Sequence, residues 1–294
     1  MGNDTVRARM GLILSMSIFG TIGIFRRYLP LPSGVIAFAR GVIGTLFLVL
    51  LVLIMKKGIS RTAIRKNLWK LLVSGGLIGL NWILLFEAYR YTSVATATLC
   101  YYMAPIFVII ASPLVLRERL TVKQGLCVAV ALVGMVAVSG VLEGASGDFR
   151  GVLFGLGAAM LYAGVVVINK TMGKIGAYDK TIVQLFAASV VILPYILLAE
   201  TVSWAAFTPL VCLVLIVVGV LHTGVAYALY FGSMGSLRAQ SVALLSYLDP
   251  VVAIVLSAFV LHEWPSALTW VGAVLVLGAA IVSELPMRAK LKKQ

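Results

Sequence analysis

Four ionisable side chains stand deep inside otherwise apolar stretches of this chain: Arg40, Glu87, His222 and Asp249. An unpaired charge in hydrocarbon is costly, so each is expected to face a protein interior or a polar cavity. Asp249 stands ten residues past Ala239, a depth of about 15 Å along a helix, and directly precedes Pro250. Proline removes a backbone donor and frees a carbonyl one turn earlier, near Ser246. A carboxylate beside freed backbone polarity can hold a substrate amine or a proton. It can equally pair with a tyrosine hydroxyl and fasten two helices. Arg40 can recognise a substrate carboxylate, although a tie to a carbonyl or to Glu87 is the simpler expectation. Glu87 can bind a proton or an amine, and Arg90 stands at i,i+3 to pair with it. His222 can relay protons near neutral pH, but a lone histidine among apolar residues is first a hydrogen-bonded structural group.

The aromatic residues form a second set. Trp82, Tyr101, Tyr102, Tyr162, Tyr227 and Tyr247 fall toward the middle of their apolar runs rather than at the ends, where interfacial Trp and Tyr gather. Phenol hydroxyls inside hydrocarbon need partners, so these rings are expected to line a polar cavity for a small amphipathic solute, with Ser246 and Asp249 beside them. Ordinary helix packing accounts for part of the set. No H-E-x-x-H, G-x-S-x-G or P-loop pattern occurs, and the chain has two His. The expectation is therefore a protein without catalytic residues, metal or cofactor. Cys100, Cys127 and Cys212 lie in apolar runs with no metal spacing and are expected to be small buried hydrophobes.

These residues must be positioned by membrane elements. Hydrophobic residues make up 62% of the chain and charged ones 12%, far from the balance of a soluble domain. The apolar residues are divided into runs long enough to cross a bilayer as helices, and strand-type alternation is absent. The spans predicted are about 10–29, 32–55, 68–90, 93–116, 121–142, 151–170, 181–200, 207–231, 239–261 and 266–285. Arg7 and Arg9 before an apolar stretch resemble a leader, but no small-x-small site follows, so the first run is expected to stay as a helix. Gly75-x-x-x-Gly79 and Gly151-x-x-x-Gly155 permit close helix packing.

The net charge of +14 does not indicate nucleic acid, because Lys and Arg sit in the connectors. With the N-terminus inside, nineteen of the 24 fall on inner segments, four on outer connectors, and Arg40 lies within a span. That bias places both termini in the cytoplasm. Lys56–Lys70, with Trp69, reads as a basic segment facing anionic lipid headgroups at the inner surface.

The chain also repeats itself. Gly79, Leu84, Phe86, Leu99, Tyr102, Pro105, Ile109, Ser112, Leu116 and Glu118 recur 145 residues later as Gly224, Leu229, Phe231, Leu244, Tyr247, Pro250, Ile254, Ser257, Leu261 and Glu263, without a gap. Five spans per repeat is odd, so the second copy enters the membrane inverted. Inverted repeats allow one fold to open alternately to either side of a midplane site. Thr121 and Ser266 are expected caps of the following helices. Glu118 and Glu263, three residues before them, are expected to lock the same corners. Where the copies differ, Ala104 pairs with Asp249, Tyr101 with Ser246 and Glu87 with Gly232.

The F-A-R at 38–40, the segment Tyr91–Ala95, and the spacing of Pro105 to Glu118 and Pro250 to Glu263 resemble the EamA type of the drug/metabolite transporter superfamily. The resemblance implies an all-α integral membrane fold of ten transmembrane helices in two inverted five-helix repeats, 1–143 and 144–294, both termini cytoplasmic. It implies a multi-pass protein of the inner membrane that exports amino acids or related metabolites by alternating access, and Asp249 adds protons as a candidate partner. It places Trp82, Tyr101 or Tyr102, Tyr162, and Ser246 or Tyr247 at the cavity. Efflux of lipophilic cations or drugs coupled to protons, with Asp249 or Glu87 as counter-ion, stands as the alternative, and an intramembrane enzyme behind it.

Overall fold

The structure is a computed structural model, described here for residues 3–92, 94–118, 120–138, 142, 148–260, 262, 264 and 266–284. Every regular element among them is helical. Helices α1 (Asn3–Gly20) and α2 (Ile22–Arg26) form one bent rod, followed by α3 (Ser33–Ile54) and α4 (Arg61–Tyr91). A broken rod comprises α5 (Val94–Tyr101), α6 (Ala104–Ala111) and a π-helical turn, Ser112–Leu116; α7 (Val122–Val138) follows. Next come α8 (Phe149–Thr171), α9 (Ala177–Ala199), and a rod made of α10 (Pro209–Val217), a π-helical stretch Val218–Val225 and α11 (Ala226–Met234). A second broken rod, α12 (Ala239–Leu245) and α13 (Leu248–Val260), precedes α14 (Ala267–Glu284).

Among the described residues, seven helical rods are long and apolar enough to cross a membrane, and Ala104–Leu116, Val122–Ala137 and Ala267–Ser283 are shorter apolar helices. Leucines, valines and phenylalanines such as Leu50, Phe186, Leu198, Leu213 and Val274 lie on the outer surface. That is the inverse of a soluble protein and matches a lipid-facing exterior.

Hydropathy misplaces several ends. α4 begins at Arg61, seven residues before the predicted start, because the Ser60 hydroxyl accepts from Ala63 N and caps a basic turn that projects beyond the apolar run. The first run is interrupted at Thr21, whose hydroxyl bonds back to the Ile18 carbonyl at 2.7 Å. The two predicted spans carrying Pro105 and Pro250 are each broken, at Tyr102–Met103 and at Ser246–Tyr247, because each proline sits in the first turn of the continuing helix and cannot donate to the preceding one.

Packing follows the small residues. A Cβ on Gly75 would stand 2.6 Å from both Ala187 Cβ and the Gln184 carbonyl, and one on Gly79 would stand 2.8 Å from the Ala188 carbonyl. α4 therefore approaches α9 backbone to backbone. The seam holds a buried polar cluster: Gln184 Nε2 donates to Ser74 Oγ at 2.7 Å and Asn169 Nδ2 to the same oxygen at 3.0 Å. Gln184 is thus spent on helix packing. At the other end of α9 the Glu200 carboxylate accepts from Gly34 N and Val35 N at 2.9 and 3.0 Å, capping α3.

Thr121 and Ser266 act as caps. Gln124 N lies 3.3 Å from Thr121 Oγ1, Gln124 Oε1 reaches back to Thr121 N, and Thr269 N donates to Ser266 Oγ. Arg117 and His262, related by the 145-residue offset, both take φ 55°, a left-handed turn at matching corners. Glu118 departs from expectation. Its Oε2 accepts from Ala239 N at 3.0 Å and its Oε1 lies 3.6 Å from Lys170 Nζ, so it joins α12 and α8 rather than its own corner. Glu263 and residues 143–147 and 285–294 lie outside the described residues. Cys100 and Cys127 are buried, whereas Cys212 is exposed on the outward face of α10.

Candidate functional site

The two broken rods cross at the centre. Tyr247 is buried, and its hydroxyl donates 2.9 Å to the carbonyl of Tyr102, its own repeat counterpart. The carbonyl expected to be free near Ser246 is instead approached by Asp249 N at 3.4 Å, and the Ser246 hydroxyl donates to the Val242 carbonyl. Next to this crossing lies a cavity of about 200 Å³. Its walls carry Arg40 from α3, Trp82 from α4, Tyr101, Tyr102, Tyr162, Tyr227, and Ser246, Tyr247 and Asp249 of the second broken rod. Eight residues singled out for substrate binding therefore meet at one place, together with Arg40. Glu87 and His222 do not line it.

Arg40 is held from one side. Its Nε donates 3.1 Å to Thr223 Oγ1, and its guanidinium carbon stands 5.6 Å from the Trp82 ring centroid. Thr223 occupies the π-helical stretch, where its hydroxyl also donates to the Val218 carbonyl five residues back. The widened turn lets the hydroxyl accept from Arg40. Among the described residues, Thr223 rather than a carbonyl or Glu87 is Arg40's hydrogen-bond partner.

His222, the neighbour of Thr223, is fully buried behind the cavity wall. Its Nε2 lies 2.7 Å from Thr21 Oγ1 at the α1–α2 break, and Phe25 packs edge-on at 4.9 Å. Two unrelated irregularities, the break at Thr21 and the π-helical stretch, are fastened together there. Glu87 is at the far end of α4, where Tyr195 Oη donates 2.7 Å and Arg90 2.9 Å to its Oε1. This joins α4 to α9 away from the cavity.

Asp249 contrasts with these paired groups. No described residue hydrogen-bonds or ion-pairs its carboxylate, which faces the cavity near Tyr101 and Tyr102. Aromatic order is set by a stack: Tyr162 donates to Tyr230 Oη at 2.6 Å with ring centroids 6.2 Å apart, and Tyr101 stands 5.9 Å from Tyr162. Trp82 and Phe19 meet Tyr227 edge-on at 6.3 and 5.1 Å. Tyr230, fully buried, was not among the residues singled out from the sequence. Neither was Thr223, whose polar role no local pattern marks.

A second cavity, of about 610 Å³, shares Ile22, Ala37, Arg40, Leu85 and Phe86 with the first and extends to Arg26, Leu29 and Ser33. The two cavities adjoin, and the second extends toward that end of the molecule. Arg40 lines both cavities, whereas Asp249 lines only the first.

An aromatic cavity carrying an arginine and an aspartate at the centre of apolar helices suits a multi-pass membrane transporter. The chain belongs to the EamA-like transporter family, whose profile matches residues 7–140 and again 149–284. It is 26% identical over 286 residues to an uncharacterized transporter, YxxF, of Bacillus subtilis (strain 168), covering 95% of this chain and 90% of that one. It is 27% identical to an uncharacterized transporter of Archaeoglobus fulgidus, covering 92% and 94%. Over 77% of each chain it is 29% identical to protein PecM of Dickeya dadantii (strain 3937). A solved crystal structure superposes with a TM-score of 0.81 at 20% identity, covering 94% of this chain and 96% of that one, which supports the fold alone.

Proposed function

We propose that this protein is a secondary carrier for small zwitterions, amino acids or related metabolites, and exports them across the inner membrane by alternating access. The observation that carries the reading is the pairing of charges in one cavity. Arg40 has its Nε committed to Thr223 and its guanidinium at the cavity wall, while the Asp249 carboxylate has no protein partner among the described residues. A solute carboxylate at Arg40 and a solute ammonium at Asp249 would satisfy both, with Trp82 and the tyrosines around the body between them. Proton binding at Asp249 is the natural competitor for the ammonium and offers a means of coupling.

The architecture in this reading is ten membrane helices. The three shorter apolar helices cross with the seven longer rods, as two inverted repeats at 1–143 and 144–294 with both termini in the cytoplasm. The matching left-handed corners at Arg117 and His262 support the repeat geometry, and the charge bias supports the orientation. The exposed Trp69 beside Lys70 suits contact with anionic headgroups.

Counterflow in proteoliposomes, across a panel of amino acids, amines and sugars, tests the carrier reading. Accelerated exchange of at least one zwitterion is expected, and its absence for every solute would count heavily against a carrier. Asp249→Asn should lose exchange of the zwitterion and flatten its pH dependence. In the parent, exchange should decline as acid protonates the carboxylate that holds the ammonium. Wild-type rates with the parent pH profile would remove Asp249 from the mechanism. Export of lipophilic cations remains the second reading, favoured by the same unpaired Asp249. It predicts that Arg40→Gln accelerates cation exchange, whereas the zwitterion reading predicts loss.

A further inference from the structure

The second cavity extends to the Arg26–Ser33 end of the molecule, and at the opposite end a small set of charged contacts gathers around Glu118 and Lys170. Lys170 closes α8. Its Nζ donates to the Met234 carbonyl at 3.3 Å, donates to the Leu237 carbonyl, and lies 3.6 Å from Glu118 Oε1. The other oxygen of Glu118 accepts from Ala239 N, the first residue of α12. One anion and one cation therefore join the end of the first broken rod, the end of α8, the end of α11 and the start of α12. Both side chains are less than a fifth exposed, so solvent weakens the contacts little.

α12 makes this more than a structural tie. It is seven residues long, and its far end runs directly into Ser246, Tyr247 and Asp249 at the cavity. A rod that short transmits a displacement at the cavity to the charged contacts two turns away. Gln240, the second residue of α12, is fully buried, and neither amide atom has a partner among the described residues. Burying an unpaired amide disfavours the closed arrangement, and water admitted there would relieve it. The closed end thus combines contacts that hold it with a group that favours its opening, as expected of a two-state element.

We propose that Glu118 and Lys170 are positioning residues that form a latch on α12, closing the Lys170–Arg238 side of the transport path and releasing when that side opens. The purpose of the latch rests on the carrier reading, but its test needs no substrate. In the full chain with Cys100, Cys127 and Cys212 replaced by serine, Ala239→Cys reports the latched end and Ile22→Cys reports the open path. Each is labelled in membrane vesicles by an impermeant maleimide applied from its own side. Glu118→Gln and Lys170→Gln should raise labelling at position 239 about tenfold and lower it at position 22, the population shift expected for loss of one partly buried charged contact. Lys170→Arg should preserve the parent pattern. Unchanged labelling at 239 in both variants overturns the proposal. So does a rise at both positions, which would mark loosening of the whole bundle. If no solute exchanges in proteoliposomes while labelling shifts reciprocally, the carrier reading fails and the latch stands.

Discussion

Thr223 shows how a single hydroxyl gives an arginine its aim. It accepts from Arg40 Nε and donates to the Val218 carbonyl, so the guanidinium is oriented over Trp82 without an ion pair to neutralise it. Thr223→Val preserves shape and removes the acceptor. It should weaken half-saturation for a carboxylate-bearing solute about tenfold in counterflow, roughly 1.4 kcal/mol, close to the lower end of the range for hydrogen bonds to charged groups. Thr223→Ser should stay near the parent, and an unaltered Thr223→Val would show that Arg40 is oriented by packing alone. Glu87 sits at the opposite extreme. Its partner Arg90 is 62% exposed, so Arg90→Ala should leave the Tm of the purified protein close to the parent's. Sequence alone marked Arg40 and Asp249 because a charge among apolar residues is conspicuous. Thr223 was not conspicuous, since a threonine in a membrane helix needs no special reason, and its partner is 183 residues away.

Among the elements, apolar run length located the helices well and their irregularities poorly. Proline betrayed the two broken rods, since Pro105 and Pro250 each remove a donor at a known place. The π-helical stretch Val218–Val225 and the break at Thr21 carry no comparable signal. Both are maintained by contacts between distant segments, through His222 and Arg40, which one-dimensional pattern does not contain. The basic turn from Arg61 was misassigned for a different reason: hydropathy measures what crosses lipid, while α4 continues helically beyond it under the Ser60 cap. The close α4–α9 seam gives a stability prediction. Gly75→Ala places a methyl 2.6 Å from the Gln184 carbonyl, and backbone cannot move aside cheaply. It should destabilise the detergent-solubilised protein by about 1–3 kcal/mol, read as a lowered Tm. A Tm at or above the parent's would show that the two helices can separate at little cost.

At the scale of the whole molecule, the charge bias and the repeat make a joint prediction about sidedness. Cysteines placed singly at Gly58 and Gly173 should be labelled from the cytoplasmic face, and one at Tyr28 from the opposite face. Labelling of all three from one face would overturn the inverted arrangement. The repeat was legible because identical residues recur at constant offset. What the copies do with those residues was less so. Glu118 was expected at its own corner, yet it reaches Ala239, because folding brings the start of the second broken rod beside the end of the first. The bond from Tyr247 to the carbonyl of Tyr102 has a consequence of its own. A residue tied to its own counterpart stands where the two halves would trade places about it, as at the pivot of a balance. In the alternating-access reading proposed above, that contact would be displaced least. Tyr247→Phe should therefore slow passage equally in both directions while leaving the preference for either side as it was.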